Sequence, residues 1–202
     1  MFLDPQSASP LELYKVLVGG IIPRPIAWVS TVNSTGLSNL APYSFFSVAS
    51  CNPPILTITN VPSRDKFAKD TLSNLLETKE CVVNIVTATE VDNMNASCAA
   101  YLPNQSEIDE VGIATVPSQK VTPLGVKGSP VRYECTLRET ITLSDKPMGG
   151  ALILLDVVAI YVDESVIEND MINANLLNAV GKLGGNDYSL ANTDLTLLRP
   201  EL

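Results

Sequence analysis

Two stretches of this 202-residue chain carry residue types and spacings suited to chemistry, and a third is weaker. The first is SRDKFAKDT (63–71), where Arg64, Lys66 and Lys69 stand beside the hydroxyls of Ser63 and Thr71. A helix should begin here, and helix-terminal N–H groups with nearby cations make a phosphate site. The same residues also fit a solvated capping segment in which Asp65 and Asp70 pair with the bases. The second is GLSNLAPYSFFSVASCNPP (36–54), which mixes strand-forming aromatics and Val with recurrent Ser, Asn and Pro. In an extended strand Ser38, Leu40, Pro42, Ser44, Phe46 and Val48 point one way, and Asn39, Ala41, Tyr43, Phe45 and Ser47 the other; a bulge at Pro42 is expected to shift this register. Small side chains and free backbone polar groups suit a planar heteroaromatic ligand. They equally suit an edge strand whose Ser and Asn face solvent and whose proline marks the edge. The third is VGKLGGNDYS (180–189), a Lys182 among glycines, which alone is no dinucleotide fingerprint.

Composition narrows the chemistry. The chain has no histidine, which removes Ser-His-Asp triads, Cys-His dyads and His-ligated metals. Its four cysteines show no tight ligand spacing, so no metal site is expected; they read as small buried hydrophobes of a reducing compartment. No catalytic acid or base is assigned, and hard chemistry would fall to an organic cofactor. A net charge of -9 argues against nucleic acid as a partner. The N-terminus lacks a signal-peptide pattern and no apolar run is long enough to cross a membrane, so a cytoplasmic location is expected.

Elements able to position these motifs follow along the chain. LELYKVLVGG reads as a helix ending at Gly19-Gly20. PIAWVSTV, the turn NSTG and SNLAPYSFFSVAS read as a long hairpin, followed by the strand PILTITN. Leu72, Leu75 and Leu76 share one helical face, with Asp70 or Thr71 as N-cap. CVVNIVT is a strand, ATEVDNMNASCAAY a second helix ended by Pro103, and SEIDEV a short helical turn within a proline-rich loop. VRYECTLRETITL and ALILLDVVAIYVD are two strong strands joined by SDKPMGG. With 46% hydrophobic residues and no repeat or linker, a single domain over residues 1–202 is expected, a closed antiparallel barrel with peripheral helices.

In this order the motifs resemble the flavin reductase-like, FMN-binding split-barrel family, in its flavoprotein oxygenase-associated or flavoredoxin-like branch. RPIAWVST, NLAPYSFF and KDTLSN carry the likeness together, and it continues through YECTLRETITL, PMGGALILLDVVAIYVDESVI and VGKLGGNDYS. The resemblance implies a mainly β fold, a six-stranded antiparallel Greek-key barrel with peripheral helices that binds FMN at a homodimer interface. It places Trp28, Ser30 and Thr31 near the flavin, and lines the ring with Asn39, Leu40, Ala41, Pro42 and Ser44, with Phe46 and Ser47 close by. It assigns the phosphate to Ser63, Arg64, Lys69 and Thr71, supported by Asp70 and Asn74, and has Gly184, Gly185 and Tyr188 complete the site or the dimer contact. The implied activity is hydride transfer from NAD(P)H to the flavin and onward to an acceptor such as a monooxygenase, with backbone donors near the ring. An electron carrier without a nicotinamide site is the alternative. One departure bears on this: the family often has Gly-Glu-Val and a nearby histidine where this chain has Leu155-Asp156-Val157 and no histidine.

Overall fold

The computed structural model describes residues 2–61, 70–102 and 104–200. Helix α1, Pro10–Gly20, starts at a Ser9 cap whose side chain accepts from Glu12 N–H while Glu12 reaches back to Ser9 N–H. Seven strands then form one antiparallel sheet: β1 Ala27–Val32, β2 Ser38–Tyr43, β3 Phe46–Cys51, β4 Pro54–Asn60, β5 Glu80–Ile85, β6 Val131–Thr142 and β7 Ala151–Val162. Their spatial order is β2-β1-β5-β6-β7-β4-β3. The two edge strands, β2 and β3, are therefore consecutive in the chain and separated only by residues 44–45. So short a link forces the sheet's two ends together, and the sheet curls into a barrel split between β2 and β3. The fold is mainly β as expected, with seven strands in the sheet instead of six.

The long second arm expected for the hairpin is thus two strands belonging to opposite ends of the sheet. The β1–β2 ladder runs without interruption from Ala27 opposite Tyr43 to Val32 opposite Ser38, so no bulge occurs at Pro42. Alternation holds from Ser38 to Tyr43 and ends at the link, after which Phe46 packs against the same interior as Tyr43 instead of continuing the face of Leu40 and Pro42. Register shifts fall elsewhere, within the β3–β4 and β6–β7 ladders.

Strand β1 is buried along its whole length because both its faces are covered. Ala27 and Val29 join Tyr43, Leu56, Ile58, Leu75 and Val83 in the barrel interior. Trp28 and Ile26 face outward, where Leu40, Val86, Met94, Ile108 and Val126 form a second core. Helix α2, Asp70–Thr78, packs on the interior side through Thr71, Asn74 and Leu75. Leu76, expected on that face, is exposed, and Asp70 and Thr71 lie within the helix. Two short helices, α3 Val91–Ala96 and α4 Glu107–Val111, cover the outer core. Strand β8, Val180–Lys182, pairs with Arg24–Pro25 and with β9, Tyr188–Leu190. Its middle residue must be glycine, since a Cβ on Gly181 would stand 2.7 Å from that of Pro23.

All four cysteines are free, and only Cys81 and Cys135 are buried; Cys51 and Cys98 are exposed, so half of the set departs from the buried expectation. No helix among the described residues is long and apolar enough to cross a membrane. Asp156, in the departing segment of β7, pairs with Arg138 at 2.8 Å on an exposed surface, a contact of little energetic weight.

Candidate functional site

The edge of β2 is the place where the backbone has hydrogen-bonding capacity to spare. In an antiparallel ladder, residues alternately turn their N–H and C=O towards and away from the neighbouring strand. Leu40 N–H is turned away, since it donates to Glu107 Oε2 at 2.9 Å. The carbonyls of Leu40 and Pro42 therefore lie along the open edge with the N–H of Ser38 at its start, and Pro42, having no N–H, adds no donor there. Of the N–H groups that β2 turns to this edge, that of Leu40 is taken by Glu107, Pro42 has none, and that of Ser38 lies at the start of the strand. Residues 44–45 lie outside both ladders and hold the remaining N–H groups of this segment.

Glu107 is a consequential residue that sequence reading missed. Its burial raises the carboxyl pKa, the Leu40 N–H opposes that rise, and the negative charge of Asp70 adds to it. A carboxyl raised in the folded state contributes stability at low pH that is lost as pH climbs through the folded value. Glu107→Gln keeps an acceptor for Leu40 and removes the buried charge, so it should be at least as stable as wild type at pH 7 with a flatter stability–pH curve. Glu107→Ala strands the Leu40 N–H and should cost about 1–3 kcal/mol in chemical denaturation.

The inward face of the same strand is locked by side chains. Asn39 Nδ2 donates to Thr71 Oγ1 at 2.9 Å, and Asn74 Nδ2 donates to Thr31 Oγ1 at 3.0 Å. Burial pushes the Tyr43 phenol well above its usual range, opposed by its hydrogen bond with Thr71. These contacts fix the start of α2 against β1 and β2. Thr31, Thr71 and Asn74 are consequently buried and engaged within the chain, while Asp70 is exposed beside them. Ser63, Arg64 and Lys69, the rest of the expected phosphate set, lie outside the described residues.

Trp28 is wholly buried with its indole N–H donated to Ser97 Oγ at 3.0 Å, and Ser30 is buried with its hydroxyl donated to Leu124 C=O at 2.5 Å. Leu40 sends its side chain into the outer core, and Ala41 and Phe46 pack on the barrel interior. Ser47 is exposed on β3. Of the expected ring residues, Pro42 and Ser44 line a cavity.

That cavity, of about 160 Å³, lies against the open edge and is bounded by Ile26, Pro42, Ser44, Met94, Lys182 and Tyr188, with Cys98 at its wall. It brings together the ring strand and the late glycine-rich segment, which are far apart in sequence. Tyr188 also borders a neighbouring hollow of about 570 Å³ shared with Val91, Asp92, Asn95 and Asn186. Arg24, from RPIAWVST, ties these pieces. Its guanidinium is buried and donates to the carbonyls of Val18 and Ile21 (2.9 Å) at the end of α1, to Leu183 C=O at 2.9 Å and to Ser44 Oγ at 3.4 Å. A lone cation in the apolar run IIPRPIAWV was the available signal, because a buried charge demands partners. Lys182 Nζ donates to Gly185 C=O at 2.6 Å and Asp187 C=O at 3.1 Å, and stands 4.1 Å from the centre of the Tyr188 ring. Gly185, at φ +57°, supplies the turn that brings those carbonyls and Tyr188 around the ammonium.

The site suits a flavin. The acceptor carbonyls of the edge, the unladdered N–H groups of residues 44–45 and the cation beside an aromatic wall match a flat ring with donors and acceptors along one side. The cavity is below the size that encloses a whole cofactor, so it admits one end of such a ring.

A flavin reductase like domain model matches residues 19–183. A Bacillus subtilis relative, "Uncharacterized protein YwrF", is 36% identical over 196 residues, covering 95% of each chain. Among solved structures, nitrilotriacetate monooxygenase component B from Bacillus cereus superposes with a TM-score of 0.92 at 32% identity, covering 98% of both chains. Pseudomonas fluorescens 2-nitrobenzoate 2-nitroreductase NbaA gives 0.87 at 28% identity, covering 99% of this chain and 96% of the other. The chain belongs to the flavin reductase-like family, and these relatives support a flavin-related oxidoreductase.

Proposed function

We propose that the protein binds FMN along the edge of β2 and transfers electrons from NAD(P)H through it to an acceptor. The observation that carries this reading is the convergence of Pro42, Ser44, Lys182 and Tyr188 on one cavity beside the acceptor edge of β2. Bound FMN would supply two-electron chemistry by accepting hydride. The chain's part is to bind and orient. Leu40 and Pro42 carbonyls and the backbone N–H of Ser44 fix the ring edge, Glu107 holds β2 in place, and Arg24 holds Ser44 and the end of β8 in register. Arg64 and Lys69, with Ser63, are the proposed phosphate ligands next to the start of α2. Direct hydride transfer needs no acid–base residue, in keeping with a chain that has no histidine.

Similarity to a protein described as a monooxygenase component supports an acceptor that is a partner oxygenase. We take the working form to be a cytoplasmic homodimer; sedimentation of the purified protein should give twice the chain mass. The missing histidine favours a second reading, an FMN electron carrier without its own nicotinamide site. Anaerobic addition of NADH or NADPH to the FMN-loaded protein separates the two. Bleaching of the flavin band within seconds supports the reductase. A flavin that stays oxidised until a protein reductant is added supports the carrier.

A further inference from the structure

We propose that Lys182 holds the negative charge the flavin acquires on reduction, and that the cavity bounded by Pro42, Ser44 and Tyr188 receives the pyrimidine end of the ring. This rests on the flavin-binding reading above and deepens it.

The geometry points to Lys182 for four reasons. Among the described residues it is the cation that lines the cavity, together with Pro42 and Ser44. Its ammonium has three N–H groups, of which two are spent on the carbonyls of Gly185 and Asp187. Among the described residues the ion pair is Arg138 with Asp156, so no carboxylate stands within ion-pair distance of Lys182, although the Asp187 charge acts on it. Finally it is held in place, by those carbonyls and by the face of Tyr188, so it is oriented before any ligand arrives. Burial first, and then the nearby Arg24 charge, lower the Lys182 pKa, opposed by Asp187 and Cys98, and an anion brought beside the ammonium would work against that lowering. Arg24, with its donors committed to Val18, Ile21, Leu183 and Ser44, adds its positive charge and fixes the backbone that carries Lys182.

The charge balance is simple. A hydride ion brings two electrons and one proton, so oxidised flavin that accepts it gains one net negative charge, which resides on the pyrimidine ring. The reductant is a reduced nicotinamide in the proposed reaction and dithionite in the test below. A fixed ammonium at that ring binds the reduced form more tightly than the oxidised form. The same preference makes an anion-bearing end of the ring, and not its apolar end, the part that enters the cavity.

The test compares wild type with Lys182→Met, Lys182→Gln and Lys182→Arg. Far-UV circular dichroism and the affinity for oxidised FMN are measured first. The two-electron midpoint potential is then read against a redox dye during dithionite reduction. Loss of Lys182 should reduce the ratio of reduced-flavin to oxidised-flavin affinity by about tenfold, which lowers the potential by about 30 mV. Lys182→Arg should stay near wild type. A potential unchanged in both Lys182→Met and Lys182→Gln with FMN bound overturns the role of Lys182 and leaves the flavin reading standing. So does an equal loss of affinity for both flavin forms. Failure of the wild type to bind FMN overturns both.

Discussion

Replacing Trp28 by alanine should lower the unfolding free energy by about 3–5 kcal/mol, the range for emptying a fully buried large aromatic site. Trp28 has no exposed surface, and it packs in the outer core with Leu40, Met94 and Val126. Its N–H is donated to Ser97, whose own hydroxyl donates to Met94 C=O at 2.7 Å, so the indole also anchors α3 against β1. For a domain of this size each kcal/mol shifts the melting temperature by about 2–4 °C, which makes the loss easy to see in a thermal scan. Trp28→Phe keeps most of the packing and loses the hydrogen bond, so it should cost a minor part of that amount. If both variants melt with the wild type, the outer core is not organised around this residue. The expected effect on flavin affinity is indirect, through the loosening of β2 beside β1, and should follow stability across the two variants.

Replacing Ser44 by tryptophan should have the opposite signature, a large loss of ligand with little loss of fold. Ser44 lies between β2 and β3, outside both ladders, and faces the cavity with Pro42 and Lys182. An indole there occupies the volume proposed for the ring. A fall of about 100-fold or more in FMN affinity is expected, about 2.8 kcal/mol. Ser44→Ala tests the finer point: it removes only the acceptor for Arg24 Nε, a long contact at 3.4 Å, and should leave FMN affinity within a few-fold of wild type. The melting temperature of Ser44→Trp should stay close to that of wild type, which separates a filled site from an unfolded one.

Much of this architecture is legible in the sequence, and the departures have physical causes. Hydrophobic period and turn residues locate β1, β4, β6 and β7, runs rich in β-branched residues with Gly, Pro or Asn at a boundary; β5 shows in its Val-Val-Asn-Ile run, and β2, which has no β-branched residue, shows through the turn NSTG before it. Alternation cannot show that the run through SFFSVAS changes from one end of the sheet to the other. That requires knowing that β3 pairs with β4 and not with β2 or its neighbour, a long-range choice. Helical spacing treats leucines alike and so places Leu76 on the buried face, whereas the polar lock of Thr71 and Asn74 turns the helix so that those two face inward. The buried polar residues Thr31, Asn39, Thr71 and Asn74 look in sequence like ligand-facing groups; only their mutual hydrogen bonds show how much of their capacity is spent within the chain.

The site was legible in part. Pro42 and Ser44 stand at the cavity, and the late glycine-rich segment reaches it through Lys182 and Tyr188. What sequence reading lacked was Arg24 and Glu107, which bond backbone groups remote along the chain, the Leu183 carbonyl and the Leu40 N–H. A carbonyl or an N–H carries no residue label, so charged residues that serve the backbone leave no paired signature.

The central claim, that the edge of β2 is a flavin site, is tested most directly by titrating flavin-free protein with FMN and following the quenching of flavin fluorescence. Wild type should take up one FMN per chain, and Ser44→Trp, folded by circular dichroism, should take up almost none at the same concentrations. Wild type that leaves FMN fluorescence unchanged, or Ser44→Trp that binds as wild type does, would contradict it.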